Sequence, residues 1–252
     1  MRKIRFIFLF FILILSFLFY LNLNYSTPIL MYHSFDKNRK NYAVVDLDTF
    51  YKQMKYIKEK KYNVISLDEY CRFLIKNNRQ PKDSLVITID DGYKDNLKAI
   101  EILKEFDFPA TIFLIVSKIN KNGYLTEEDI KNFLKDTKVN IGSHTLTHRY
   151  LPELEEKDLE KEIILSKKIL NKKFSVDINT IAYPSGGFNE RTLDKVKKVN
   201  FLCACTTNRG FSYKLDRFSL RRIKITDRDL GFRLWIKLTG FYNIFKKLKK
   251  PY

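Results

Sequence analysis

Short apolar runs alternate along the chain with segments in which apolar residues recur at helical spacing. The runs are typical of buried strands and cover residues 28–33, 63–66, 85–89, 109–116, 138–141, 179–183, 201–205 and 220–225. The segments between them predict helices, as where Asp48 is the expected N-cap and Phe50 and Met54 share one face. This alternation predicts an α/β fold with a mostly parallel sheet. About seven units fit a distorted (β/α) barrel better than an open sheet, and no linker divides residues 27–225.

A separate apolar run occupies residues 6–21, interrupted by Ser16 and preceded by Arg2, Lys3 and Arg5. A basic cap followed by such a run is typical of a signal peptide or a signal anchor. The run is just long enough to span a bilayer and no small-residue cleavage site follows it, which favours an uncleaved anchor over residues 1–26. The basic cap predicts a single-pass protein of the bacterial cell membrane, with its domain in the periplasm or at the cell surface.

The C-terminal segment, residues 226–252, changes in character. Large apolar residues recur there at helical spacing among lysines, namely Phe232, Trp235, Leu238, Phe241, Phe245 and Leu248. One interpretation is an amphipathic helix on an anionic membrane surface. The other is a terminal helix packed on the barrel, followed by a solvated run of charge.

The formal net charge of the chain is +18, which indicates an anionic neighbour. Both ends are apolar as well as basic, which favours a membrane over nucleic acid, and no nucleic-acid-binding signature is present. The three cysteines are Cys71, Cys203 and Cys205. A bridge between the last two would be strained, so we predict buried thiols.

Candidate chemistry lies at the predicted carboxyl ends of the strands. Asp90 and Asp91 follow the run at 85–89, and two adjacent carboxylates repel each other unless a cation lies beside them. The alternative is an Asp-Gly turn. The only histidines, His33, His144 and His148, also follow predicted strands. If the last two lie on one helical turn they face the same way, and with Asp91 they offer the three ligands of a catalytic metal site.

These motifs resemble those of the NodB-homology polysaccharide deacetylases. Residues 88–93 (TIDDGY) resemble the first family motif, residues 142–148 (GSHTLTH) the second and residues 182–186 (AYPSG) the third. Residues 30–34 and 220–223 are similar to the branch that includes the poly-N-acetylglucosamine deacetylases of biofilm systems. The resemblance covers about residues 27–225.

The resemblance implies a role for each matched residue. Asp91, His144 and His148 would bind a divalent ion, with zinc expected and cobalt, nickel or iron left open. Asp90 would be the general base, and the backbone N–H of Ser185 would stabilise the oxyanion.

The acid and the residue that tunes the base depart from the commonest family pattern. His33 would be the general acid, because no histidine lies near the C-terminal end, where most members carry one. Ala182 stands where many members carry an arginine that tunes the base, and we expect Arg222 to replace that arginine.

The implied function is a metal-dependent deacetylase that removes N-acetyl groups from an extracytoplasmic glycan containing N-acetylglucosamine. Two alternatives stay open: a deacetylase or deformylase of a lipid-linked sugar, and an inactive relative that binds a glycan. An intact base beside a complete ligand set argues against the inactive relative. Oligomeric state, glycan linkage and acyl group are left undetermined.

Overall fold

A computed structural model describes residues 8, 10, 12–17, 19–20, 25–39, 44–208 and 216–245. The predicted membrane anchor falls partly on residues outside this description, and the end of the C-terminal segment, residues 246–252, lies wholly outside it. Among the described residues, no helix combines the length and the apolar character needed to cross a membrane.

Strands and helices alternate as the apolar pattern predicts. The strands are β1 (Ile29–Tyr32), β2 (Asn63–Val64), β3 (Ser84–Ile89), β4 (Ala110–Leu114), β5 (Val139–Ser143), β6 (Thr180–Ala182), β7 (Cys203–Thr206), β8 (Leu220–Arg221) and β9 (Ile223–Lys224). The helices are α1 (Leu47–Glu59), α2 (Leu67–Asn77), α3 (Asn96–Glu105), α4 (Glu127–Asp136), α5 (Glu156–Glu160), α6 (Ser166–Phe174), α7 (Glu190–Lys198) and α8 (Phe232–Leu238). A π-helical turn, Lys161–Leu165, joins α5 to α6 without a break.

The strands form one parallel sheet that is nearly closed into a barrel. Their order is β8-β7-β6-β5-β4-β3-β1-β9, and β2 adds a short pairing to the start of β3. The last strand is split at Arg222: β8 pairs with β7, whereas β9 pairs with β1. One stretch of five residues, Leu220 to Lys224, therefore contacts both edges of the sheet, and the prediction of a distorted barrel of about seven parallel strands is confirmed.

Alternate residues of each strand face two different cores. Outward residues such as Leu30 and Ile87 pack against the surrounding helices. Inward residues such as Ile29 and Val86 pack with the buried face of α2. That helix covers the N-terminal end of the barrel. Its Tyr70 hydroxyl donates to Gln80 (3.0 Å), which lies just before the start of β3. The opposite end, where the strands terminate, is left for the site.

One of the two predicted helix N-caps is found where expected, and the other lies two residues earlier. Thr126 and Asp129 form the capping box at the start of α4. The N-cap of α1 is Asp46 rather than the predicted Asp48, because the Asp46 carboxylate accepts a hydrogen bond from the Asp48 backbone N–H.

The prediction of three unpaired thiols is wrong. Cys71 on α2 and Cys203 on β7 form a disulfide across 132 residues of sequence. Helix α2 brings the two together by packing against the barrel interior, a contact that sequence spacing does not show. Only Cys205 keeps a free thiol, and burial raises its pKa to about 12.

The apolar face of the C-terminal segment also differs from the prediction. Helix α8 ends at Leu238, and its buried residues are Leu234 and Leu238. Phe232 and Trp235, expected to share a face with Leu238, point to solvent instead. The chain turns at Gly240, which has φ +80° and where any side chain would collide with the Tyr25 ring.

Candidate active site

The turn after β3 directs both carboxylates into the open end of the barrel. Alternation along the strand turns Asp90 inward and would turn Asp91 outward. Asp91 instead has φ +75°, followed by Gly92 at φ +70°, which reverses the chain at once. A Cβ atom at Gly92 would lie 2.7 Å from Leu114, so glycine is required for space as well as conformation.

Asp90 forms a buried ion pair with Arg222. Its two carboxylate oxygens accept from Nη1 and Nη2 at 2.6 and 2.7 Å. The guanidinium also donates to Thr88 Oγ1 and to the Thr206 carbonyl, each at 3.2 Å, and lies over the Phe113 ring. Both side chains of the pair are almost wholly inaccessible to solvent. The split in the last strand thus places a positive charge where the first carboxylate needs one.

Asp91 lies against the two histidines of the second motif. Its Oδ1 atom is 3.5 Å from His144 Nε2 and 3.6 Å from His148 Nε2. One ligand atom from each of the three residues lies within 4.8 Å of the others, a grouping that could hold a metal ion. His144 Nδ1 lies 2.8 Å from the Ala182 carbonyl, which fixes that nitrogen as the donor and turns Nε2 toward the cluster.

The loop that carries the two histidines is not the helical turn that their spacing suggested. Thr145 and His148 both have φ +67°, in the left-handed region. The Glu162 carboxylate holds this loop, accepting from Thr147 N at 2.8 Å and from Thr147 Oγ1. The Glu162 carbonyl also accepts from Leu146 N at 3.2 Å. These contacts bring the two imidazoles together without helical geometry.

Glu162 was missed in the sequence, although a signal exists. It lies in the π-helical turn and is only 3% exposed. In the sequence it stands between Leu159 and Ile163 on the predicted buried side of the helix. A carboxylate at such a position is informative because buried acids need partners.

His33 stands on the other side of Asp90. Its Nε2 atom is 3.7 Å from Asp90 Oδ2, and its side chain is 20% exposed, whereas that of Asp90 is 2% exposed. His33 is held through its carbonyl, which accepts from Asn96 Nδ2 at 2.8 Å. The imidazole therefore lies between the buried carboxylate and solvent.

Ser185 occupies the turn after β6. It has φ +53°, and its carbonyl accepts from Thr207 Oγ1 at 3.0 Å. A side chain at the neighbouring Gly186 would collide with Thr207. The turn is packed against the residues after β7, and the Ser185 side chain itself is exposed. An oxyanion role for its backbone N–H stays a prediction.

Tyr93 completes the surroundings of Asp91. Burial raises the pKa of Tyr93, and the charge of Asp91 and a hydrogen bond to that carboxylate raise it further. The Arg39 guanidinium lies 3.8 Å from the centre of the Tyr93 ring. The phenol therefore stays protonated beside Asp91.

The electrostatics of the cluster keep both carboxylates ionised. Burial alone would raise the pKa of Asp90, but Arg222 and two histidines outweigh it and hold that pKa below its usual value. Burial is likewise outweighed at Asp91, chiefly by its hydrogen bond with His144 and the charge of that residue. Burial lowers the pKa of His33 and of His148, although the carboxylates oppose that change. Burial is outweighed at His144, where the hydrogen bond with Asp91 and the charges of both carboxylates raise the pKa. Two anions beside imidazoles that release a proton on binding metal form a suitable environment for a divalent cation.

Replacing Glu162 by glutamine is expected to weaken metal binding about 10- to 100-fold, the usual effect of losing a residue that orients ligands. The amide offers one acceptor oxygen where Thr147 presents two donors, so the loop is held less firmly. Calorimetric titration with Zn²⁺ measures the change.

The matched control is Glu160→Gln on the same helix. Glu160 pairs with Lys195 at the surface and is expected to leave metal affinity unchanged. If Glu162→Gln keeps wild-type affinity while its melting temperature falls, the carboxylate supports the fold and does not position the ligands.

Comparison with known proteins supports the family resemblance. A family model described as polysaccharide deacetylase matches residues 77–204. YxkH of Bacillus subtilis is 31% identical over 201 residues, which cover 79% of this chain and 71% of YxkH. The poly-β-1,6-N-acetyl-D-glucosamine N-deacetylase of Staphylococcus aureus is 27% identical over 190 residues, or 70% of this chain and 65% of that protein.

Solved structures share the fold. The deacetylase PplD of Streptococcus pyogenes, solved in complex with acetate, superposes with a TM-score of 0.78 at 29% identity, covering 85% of this chain and 99% of PplD. IcaB from Ammonifex degensii has a TM-score of 0.75 at 17% identity over 86% of this chain and 97% of IcaB, a likeness of fold alone. The resemblance to the NodB-homology enzymes is therefore confirmed, and this chain belongs to the polysaccharide deacetylase family.

Proposed function

We propose that this chain is a metal-dependent deacetylase that removes N-acetyl groups from an extracytoplasmic glycan containing N-acetylglucosamine. The observation that carries the proposal is the juxtaposition of two differently partnered carboxylates. Asp91 lies with His144 and His148 in a possible ligand set, while Asp90 is held as an anion by Arg222. The name of the Staphylococcus aureus relative supports the choice of glycan.

The donor set fits a divalent ion. It comprises one carboxylate oxygen and two imidazole nitrogens, and the His144 ring is already fixed with Nε2 directed at Asp91. Three protein ligands with one open position are typical of catalytic zinc sites, and we propose zinc as the metal. When bound there, the ion would polarise the amide carbonyl and make water acidic enough to react at neutral pH.

The protein residues divide the proton transfers between them. Asp90 is ionised and close to Asp91, so it can take the proton from the attacking water. Arg222 cannot give up its own proton and keeps Asp90 oriented through two hydrogen bonds. His33, in its protonated form on the solvent side of Asp90, would donate that proton to the departing amine. The backbone N–H of Ser185 would stabilise the oxyanion.

The test follows acetate release from chitooligosaccharides and from poly-N-acetylglucosamine oligomers, using the full chain in detergent. We expect release from at least one substrate, loss of release after treatment with a chelator, and recovery on adding Zn²⁺. The metal binds where it can polarise the carbonyl, so its removal should lower turnover at least about 100-fold. Unchanged release after complete removal of metal would refute metal dependence. No release from either glycan with metal bound would refute the proposed substrate.

His33→Ala is expected to lower kcat about 100- to 1,000-fold on the same substrates with metal still bound, because the leaving amine loses its proton donor. Substrates with a better leaving group depend less on that donor, so acetate esters should show a much smaller loss. Wild-type turnover by His33→Ala would assign the acid to another group. The matched control is the exposed acid-to-amide change Asp107→Asn, far from the site, which should leave both rates unaltered.

We also propose that the enzyme is held at the bacterial cell membrane by residues 1–26, with the deacetylase domain in the periplasm or at the cell surface. The support is the basic cap and apolar run in the sequence. Protease added to intact spheroplasts should then digest the domain.

A further inference from the structure

Helix α8 carries an exposed apolar surface that the deacetylase chemistry does not use. Leu230, Phe232 and Trp235, here called the α8 patch, are 39%, 72% and 45% exposed. The rings of Phe232 and Trp235 stack with their centroids 5.4 Å apart. The other face of the helix is buried through Leu234 and Leu238. The helix is therefore amphipathic, with a stacked aromatic pair on its outer side.

The N-terminal chain is attached next to this helix. Ser26 N donates to the Gly240 carbonyl at 2.8 Å, two residues after α8 ends. The Tyr25 ring packs edge-on against Phe241 with centroids 5.8 Å apart. The apolar run at residues 6–21 consequently joins the domain at the end of α8.

The segment around the α8 patch has a small net positive charge, because Arg228, Arg233 and Lys237 outnumber Asp227 and Asp229, and Asp229 is paired with Lys237. Arg228 and Arg233 are exposed on either side of Phe232 in the sequence. Lysines follow in the same segment at Lys246, Lys247, Lys249 and Lys250. Tryptophan rings favour the headgroup level of a bilayer, and arginine and lysine are attracted to anionic lipid. Aromatic rings, basic residues and an adjacent apolar run together match the chemistry of such a surface.

We propose that the α8 patch rests on an anionic lipid bilayer and forms a second membrane contact beside the N-terminal run. Helix α8 begins beyond the carboxyl end of β9, on the side of the site, and ends where Gly240 meets Ser26 at the opposite end of the barrel. A bilayer against α8 therefore lies along the flank of the barrel. Two contacts fix the rotation of the domain and hold the flank of the barrel against the membrane. The proposal does not depend on the deacetylase activity.

Trp235 is the only tryptophan of the chain, so its fluorescence tests the proposal directly. The full chain is reconstituted into vesicles of phosphatidylcholine and phosphatidylglycerol, with or without bromine on the acyl chains near the headgroup. We expect the Trp235 emission of the full chain to shift to the blue as the lipid concentration is raised. Brominated lipid should quench this emission strongly. Quenching should weaken in vesicles of phosphatidylcholine alone.

Two variants separate the α8 patch from the N-terminal run. Phe232→Ser should reduce the bromine quenching of Trp235, whereas Ile75→Ser, a comparably exposed residue (48%) on α2, should leave it unchanged. Equal emission with and without bromine would overturn the proposal, as would equal quenching in wild type and Phe232→Ser. Equal quenching with and without anionic lipid would overturn the role of charge. Trp235 emission that changes with the protein-to-lipid ratio but not with bromination would indicate that the α8 patch contacts a second copy of the chain.

Discussion

Asp90→Asn is expected to abolish acetate release, with kcat/KM at least about 1,000-fold below wild type, while the protein still binds metal. The amide cannot accept the proton of the attacking water, yet the Asp91–His144–His148 set is untouched. Asp91→Asn provides the contrast, because it removes a ligand and should lose both activity and metal. The two measurements are acetate release and metal content after dialysis.

The roles proposed for the two adjacent residues are separable, and their neighbours explain why. Asp90 contacts Arg222 and lies 3.7 Å from His33, whereas Asp91 contacts the two histidines of the second motif. If Asp90→Asn lost its metal as completely as Asp91→Asn, Asp90 would be a ligand and the base would have to be sought elsewhere. Substantial activity in Asp90→Asn would refute the assignment of the base altogether.

Arg222→Met is expected to destabilise the protein by about 3–5 kcal/mol, because it leaves the buried Asp90 carboxylate without a counter-charge. The same change should raise the pKa of Asp90, since burial then acts without Arg222 to oppose it. Less of the base is ionised at a given pH, so the acid limb of kcat/KM should move to higher pH. Urea unfolding and a pH–rate profile measure the two effects.

The Asp90–Arg222 ion pair determines the direction in which the stability of the wild-type protein changes with pH. The folded-state pKa of Asp90 lies below its unfolded value of about 3.9, so the pair stabilises the protein above that pH. This stability is lost as the pH falls through the folded-state pKa. The difference in unfolding free energy between wild type and Arg222→Met should therefore shrink in acid.

The double variant Asp90→Asn/Arg222→Met distinguishes charge balance from packing. It removes both charges and should recover most of the stability lost in Arg222→Met, although it stays inactive. Arg222→Lys is the conservative control: it keeps a charge but loses the paired donors, so its acid limb should move less. Equal destabilisation in the double and single variants would show that Arg222 acts through its contacts with Thr88, Thr206 and Phe113 instead.

The barrel and the grouping of Asp91 with His144 and His148 were predictable because their signals are local. Each strand is a short apolar run, and the chemistry follows directly after a run, as with Asp90 and Asp91 after β3. The carboxyl ends of parallel strands meet at one end of a barrel, so such residues converge without any knowledge of loops. His144 and His148 could be grouped with Asp91 for that reason, although their loop proved not to be helical.

The remaining features depend on contacts between distant segments. The Cys71–Cys203 bridge requires that α2 cover the end of the barrel, and nothing near Cys71 in the sequence indicates this. Glu162 reaches the histidine loop only because a π-helical turn presents it there. The outward position of Trp235 follows from which face of α8 meets the domain, which helical spacing alone leaves undetermined.

The split last strand has a consequence for the order in which the protein is made. Asp90 lies in the first half of the chain, whereas its partner Arg222 follows 132 residues later. Until then the nascent chain cannot enclose Asp90 without burying an unbalanced charge, so this end of the barrel stays hydrated during synthesis. The helices of the N-terminal half can already pack against their strands. The charge of Asp90 is therefore balanced only late in folding, when the last strand is placed between β7 and β1.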